Sequence, residues 1–172
     1  MKSFLKICDY LCKSVAKQFF HHSRYLGTHS QDTRMTPFES LGITAEVLKS
    51  IQELGFERPM PIQEKVIPVL LETHEDLIGL AQTGTGKTAA FGLPIIQQIE
   101  IARKQPQALI LAPTRELCLQ IAGDMKNFAK YLPNLHIVAV YGGADMSRQI
   151  KALQHGAHII VATPGRMNDL LN

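Results

Sequence analysis

Residues 76–88 set out the side chains that phosphate chemistry needs, in the order it needs them. An apolar run, Asp76–Ala81, leads into Gln82-Thr83-Gly84-Thr85-Gly86, and Lys87-Thr88 then opens a helical pattern. Gly84 and Gly86 let the backbone turn without Cβ clashes. The N–H groups from Thr83 to Thr88 can then converge on phosphate oxygens at a helix N-terminus. Lys87 would reach the β and γ phosphates of a nucleotide, and Thr88 would place its hydroxyl on a Mg²⁺ ion that bridges them. The strict phosphate-loop pattern has glycine where Ala81 stands. The competing reading is a bare glycine-rich turn; the apolar run before it and the helical pattern after it favour a nucleotide site.

The elements that must position these groups follow from periodicity. From Thr36 onward helical patterns alternate with short apolar runs rich in β-branched residues, which predicts an α/β fold with a parallel sheet flanked by helices. Strands are expected at Asp76–Ala81, Ala108–Ala112, His136–Tyr141 and His158–Ala162. Helices are expected at Thr44–Leu54, Ile62–Leu71, Lys87–Ala102, Arg115–Tyr131, Met146–Gln154 and Arg166–Leu171, with Thr44 capping the first and Pro61 opening the second. In such a sheet the working residues gather where strands end and helices begin. Thr114, placed to cap a helix, and Arg115, a charged donor for phosphate, fall at such a point.

With 172 residues and 45% hydrophobic composition, the chain has room for one domain with a sizeable core and not for two of ordinary size. Three cysteines, Cys8, Cys12 and Cys118, make no even disulfide framework, which points to a reduced, cytoplasmic setting. No apolar stretch approaches the ~20 residues that span a bilayer, so no membrane partner is expected. The net charge of +3 divides unevenly: residues 1–34 sum to +4 and residues 35–172 to −1. Overall charge is therefore no sign of a nucleic-acid partner. A near-neutral domain binds phosphate only where its cations and amides are locally arranged.

Five segments in order give the phosphate loop a more specific context. Ala81-Gln82-Thr83-Gly84-Thr85-Gly86-Lys87-Thr88 resembles the phosphate loop of the DEAD-box ATP-dependent RNA helicases, in which alanine is common at the first position. Gly55-Phe56-Glu57-Arg58-Pro59-Met60-Pro61-Ile62-Gln63 is similar to that family's adenine-recognition motif, with Phe38 as its upstream aromatic. The resemblance implies that the Gln63 amide pairs with the adenine edge while Phe38 and Arg58 pack on its faces. Met60 stands where the family usually has threonine, which removes a hydroxyl but not the glutamine. Downstream, Pro113-Thr114-Arg115-Glu116-Leu117, Gly142-Gly143 and Thr163-Pro164-Gly165-Arg166 match the family's three RNA-facing segments. There Pro113, Thr114, Arg115, Gly142, Gly143, Thr163, Pro164, Gly165 and Arg166 would hold single-stranded or structured RNA by its backbone. Cys118 takes a place usually held by alanine. A DNA helicase of a neighbouring superfamily fits the Phe38 to Gln63 spacing and the Pro113–Leu117 segment less well.

The resemblance implies a RecA-like P-loop NTPase domain, here incomplete. The acidic motif Asp-Glu-Ala-Asp, which in the family holds Mg²⁺ and positions the attacking water, does not occur in the 172 residues. Asp76, Asp124, Asp145 and Asp169 are not placed at the end of a buried strand and do not replace it. The expectation is a fragment, without the second motor domain, that binds ATP and RNA at most in part and does not hydrolyse ATP. The alternative is a non-hydrolysing nucleotide and RNA-binding module in its own right. A sheet that ends after four strands would also leave an apolar edge open and weaken folding.

Residues 1–34 have a different texture, basic and without strand or turn signals, and form a separate unit from 35–172. They allow three readings: an expressed tail, a targeting segment, or sequence translated from upstream of the native start. Met35-Thr36-Pro37-Phe38 resembles the beginning of a compact bacterial member of the family, which favours the third. Lysine outnumbers arginine, against a mitochondrial presequence, and Cys8, Cys12, His21 and His22 lack zinc-site spacing.

Overall fold

The computed structural model describes residues 36–73 and 75–171. The basic segment 1–34, with Cys8, Cys12, His21 and His22, lies outside the described residues, as does Met35. Among the described residues three parallel strands form one sheet in the order β1-β3-β2, with β1 at Ala108–Leu111, β2 at Ile137–Val140 and β3 at Ile159–Ala162. Six α-helices accompany them among the same residues: α1 Ala45–Glu53, α2 Pro61–Glu72, α3 Lys87–Gln98, α4 Arg115–Phe128, α5 Met146–Gln154 and α6 Pro164–Leu171. Among the described residues no helix is long and apolar enough to cross a membrane.

The central strand explains the layering. All four β3 residues are buried, and they alternate between two cores as the period of two requires. Ile159 and Val161 face a large cluster with Phe38, Val47, Ile51, Ile67, Leu93, Ile96, Ile121 and Met125. Ile160 and Ala162 face a smaller one with Val140, Met167 and Leu170. A strand covered on both faces reads as a continuous apolar run, as Ile159-Ile160-Val161-Ala162 does.

Helix ends follow local chemistry. Pro61 opens α2 at its first position, where its missing N–H removes no hydrogen bond. Thr114 caps α4 by accepting from the Leu117 N–H at 3.2 Å, and Asp145 caps α5 by accepting from Ser147 and Arg148. Thr44 precedes α1 without a side-chain cap bond. Helix α3 stops at Gln98 instead of reaching Ala102, because Ile99 is extended and Glu100 is tied to Gln107, whose side chain bonds the Glu100 N–H and C=O.

The expected strand Asp76–Ala81 is not formed. Strand pairing requires a neighbour whose N–H and C=O groups are in register, and among the described residues this segment has none. It runs beside α2, with Gly79 against Ile62 and Val66, while Ile78 and Leu80 are each 90% exposed. Between it and β1 lies a groove of about 740 Å³ lined by Val66, Leu77, Phe91, Leu109, Leu111 and Ile121 among others. The outer edge of β1 is likewise unpaired among the described residues.

Candidate functional site

The phosphate loop keeps the predicted backbone. Gly84 and Gly86 have φ of 78° and 79°, left-handed values that suit glycine, and Gly86 stands at the N-terminus of α3. Lys87 begins the helix, and its ammonium is folded into the loop, donating to the carbonyls of Ala81 and Gln82 at 2.6 Å each. The Thr85 hydroxyl donates to Gln82 O at 2.8 Å, which holds the turn shut. Thr83 and Gly84 are exposed, while Thr88 is half-buried and lines the groove beside Lys87. The loop is thus built, and its acceptors are satisfied by its own cation.

Gln63 reaches this loop from α2. It is only 1% exposed, and both ends of its amide are engaged. Nε2 donates to Gly86 O at 3.1 Å, and Oε1 accepts from the Met60 N–H at 2.8 Å. A Cβ on Gly86 would stand 2.3 Å from Gln63 Nε2, so the approach of Gln63 demands glycine there independently of φ. Arg58 is exposed on the same approach to α2. Phe38 is not with them. It is 1% exposed in the main core, tilted against Phe56 at 6.2 Å between centroids, so its ring is not free to stack on a ligand. The aromatic to which the family resemblance gives a place on the adenine face is here packed in the core.

A second group collects at the C-terminal ends of the three strands. Pro113, Thr114 and Arg115 are exposed after β1, Gly142 and Gly143 are exposed after β2, and Thr163, Pro164 and Gly165 follow β3. The structure brings Arg115 and the glycine pair together: the Arg115 guanidinium lies over the Tyr141 ring at 5.0 Å, and its Nη1 is 3.3 Å from where a Gly143 Cβ would be. Gly143 has φ of 79°, so glycine is needed there twice over. The Thr163 N–H donates to Val140 O at 2.9 Å, which ties the third segment to β2.

Arg166, expected to face RNA, makes internal bonds here. Its side chain is 12% exposed and points inward, with Nε 3.8 Å from the Asp169 carboxylate. Nη1 donates to Ala144 O at 3.1 Å and to Gln149 Oε1 at 3.4 Å. A guanidinium so engaged braces the neighbouring loop through Nη1 and Nε. Its partner Gln149 is buried, and sequence reading passes over it because a glutamine inside an amphipathic helix looks solvated.

The carboxylates do not gather. Asp145 is a helix cap, Asp169 pairs with Arg166, and Asp124 on α4 has its pKa pushed up by burial. Among the described residues no cluster of three or more His, Cys, Asp or Glu could hold a metal ion. A divalent ion would find the Thr88 hydroxyl and otherwise only phosphate oxygens and water. Cys118 sits at the base of α4 with its thiol donating to Val161 O at 3.2 Å, and burial pushes its pKa up. It is packed into the core and is not poised as a nucleophile.

A family model described as DEAD/DEAH box helicase matches residues 60–172. The chain is 46% identical over 138 residues to a DEAD-box ATP-dependent RNA helicase, CshA, of Geobacillus kaustophilus, covering 80% of the chain and 29% of that relative. It is 48% identical over 136 residues to the ATP-dependent RNA helicase DeaD of Escherichia coli, covering 79% of the chain and 22% of the relative. Among solved structures, a DEAD box protein from Methanococcus jannaschii superposes with a TM-score of 0.73 at 41% identity, over 77% of this chain and 36% of that one. Dbp5 of S. cerevisiae, bound to RNA and ADP BeF3, gives a TM-score of 0.70 at 34% identity, over 79% of this chain and 34% of that one. The chain therefore spans well under half the length of each of these relatives.

Proposed function

Since the chain belongs to the DEAD/DEAH box helicase family, we propose that it supplies part of the ATP-binding motor of an RNA helicase, holding ATP at Thr83–Thr88 and an RNA backbone at the ends of β1, β2 and β3. The observation that carries the ATP half is Lys87, whose ammonium sits inside the glycine turn on two carbonyl oxygens. A triphosphate offers that ammonium charged acceptors in place of neutral ones, and charge-assisted bonds are about twice as strong. With a nucleotide bound, Mg²⁺ would neutralise phosphate charge beside the Thr88 hydroxyl. Gln63 is the candidate for the adenine edge, with Arg58 beside it. Beyond its bonds to Gly86 O and the Met60 N–H, the Gln63 amide keeps one N–H and one lone pair, but it is 1% exposed against the loop, which couples adenine binding to the shape of the phosphate loop.

The RNA half rests on three exposed strand-end segments, with Arg115 set against Gly143. Arg115 supplies the charge, Gly142 and Gly143 admit a sugar-phosphate chain close to backbone amides, and Thr163 and Gly165 add donors at the start of α6. Contacts of this kind read the backbone, so binding is expected to show little sequence preference and a steep salt dependence.

The relatives are named as ATP-dependent RNA helicases. For these 172 residues the reading is binding without turnover, because the acidic motif does not occur in the chain and no described carboxylate pairs with Lys87. Titration of the whole chain with a fluorescent adenine nucleotide should give saturable binding, and Lys87→Ala should weaken it by about 10- to 100-fold. A labelled oligoribonucleotide should bind and be released by salt. Steady ATP hydrolysis by this chain alone would contradict the reading, as would nucleotide binding indifferent to Lys87→Ala.

A further inference from the structure

Gln149 is a buried amide that belongs to neither the nucleotide loop nor the strand-end segments. It lies on α5, 7% exposed, eight residues after Tyr141. Its Nε2 donates to Tyr141 O at 3.0 Å, and its Oε1 accepts from Arg166 Nη1 at 3.4 Å. The same Arg166 nitrogen donates to Ala144 O at 3.1 Å. The carbonyls at 141 and 144 are therefore both held, one by Gln149 and one by Arg166, and Gly142-Gly143 is the short span between them.

These bonds have few alternatives. The two glycines bring no side chains of their own to fix their height, and Gly142 has open space where a Cβ would lie. Asp145 turns the chain into α5 just after them, and Thr163 N–H fastens the β3 end to Val140 O just before. Gln149 adds a side-chain link to the two direct ones, Thr163 N–H to Val140 O and Arg166 to Ala144 O, since its one amide reaches both the β2 end and the arginine of the β3 end. Arg115 lies beside Gly143, its Nη1 3.3 Å from where a Cβ would stand, so a shift of the glycine pair changes the surface it shares with the guanidinium.

We propose that Gln149 is a positioning residue for the RNA backbone: by tying Tyr141 O to Arg166 it fixes Gly142-Gly143 against Arg115, so that the strand-end segments present one preformed phosphate-binding surface. The proposal rests on the RNA half of the proposed function and assigns Gln149 no contact with RNA. Leucine at 149 would keep the volume and lose both bonds. Asparagine would keep the amide and be too short to span from Tyr141 O to Arg166.

The test compares wild type, Gln149→Leu and Gln149→Asn as whole chains. Binding of a fluorescein-labelled oligouridylate is read by anisotropy, fluorescent ADP binding is measured on the same preparations, and amide hydrogen exchange is followed over residues 141–145. Both variants should bind the oligouridylate about tenfold more weakly, bind ADP within about twofold of wild type, and exchange faster at 141–145. Equal losses for RNA and ADP would mean a general loss of folding and would overturn the proposal. So would unchanged RNA affinity, or unchanged exchange, in a variant that binds ADP normally. If Gln149→Leu does not fold, Gln149→Asn decides alone. Wild type that binds ADP but no RNA would refute the RNA reading itself, and with it the role of Gln149; faster exchange in the variants would then show only that the loop is braced.

Discussion

Gly86→Ala is the substitution whose cost can be worked out most fully. Two independent terms meet at that position. The φ of 79° is left-handed, which costs a residue with a Cβ about 1–2 kcal/mol. The new methyl would also stand 2.3 Å from Gln63 Nε2 and 3.2 Å from Gln63 Cδ. Gln63 is not a flexible tip that swings away, because it is buried and bonded at both ends of its amide. Displacing it breaks the bonds to Gly86 O and Met60 N–H, a buried loss of about 1–3 kcal/mol. Gly86→Ala should therefore cost about 2–5 kcal/mol in all. Gly84→Ala is the internal control: its φ is 78° and a Cβ there meets nothing within 4 Å, so only the backbone term of about 1–2 kcal/mol applies. The assay is urea unfolding of the nucleotide-free chain at high dilution, with Gln63→Ala added to complete a double-mutant cycle. In the Gln63→Ala background the cost of Gly86→Ala should fall back to that of Gly84→Ala, a coupling of about 1–3 kcal/mol. Equal costs at 84 and 86 in the wild-type background, or no coupling to Gln63, would refute the claim that Gln63 braces the phosphate loop.

Two more expectations follow from the remaining surface. Glu53 accepts from the Lys130 ammonium and from the Tyr131 hydroxyl, and these bonds, Lys130 first, hold its carboxyl below the usual range. A depressed carboxyl contributes stability above its unfolded value and loses it as pH falls through the folded value. The melting-temperature gap between wild type and Glu53→Gln should therefore be present at neutral pH and close on acidification; a gap that widens in acid would reverse the sign. The open edge of β1 and the exposed Ile78 and Leu80 should make the chain bind an apolar dye and self-associate as concentration rises, and Leu111→Lys should reduce both. A chain that stays monomeric and dye-free at high concentration would contradict this.

The sequence was most legible where one local rule decided the outcome. Pro61 opens α2, Thr114 caps α4, and Met146–Gln154 forms with both predicted ends, because capping and helical period act over a few residues. The β3 strand was legible as well, since a run buried on both faces needs no alternation. The segment Asp76–Ala81 has the same strand-like composition and fails, because composition gives propensity and a strand needs a partner. Phe38 failed differently: spacing locates a residue along the chain but does not tell an exposed ring from a packed one. Arg166 and Gln149 were least accessible. Arg166 reads as an RNA contact by resemblance and a lone glutamine in an amphipathic helix as solvated; only the meeting of the β2 and β3 ends with α5 makes them partners.

The two halves of the site stand in different states, and this bears on how they bind. On the nucleotide side the critical groups are already used: Lys87 on two carbonyls, Gln63 on Gly86 O and Met60 N–H. On the proposed function, binding ATP there would be an exchange, in which each internal bond given up offsets part of the bond that replaces it. The net gain comes mainly from giving Lys87 charged partners, so nucleotide affinity should depend on the number of phosphates more than on the base. On the RNA side Arg115, Gly142 and Gly143 are exposed and already assembled, with Gln149 and Arg166 holding them from behind. No internal bond has to break before a phosphate approaches. In this chain the RNA surface should therefore be competent without nucleotide. Adding ADP should change oligouridylate affinity little, since among the described residues the two halves are linked through the shared core beneath them; a shift of tenfold or more on adding ADP would refute that independence.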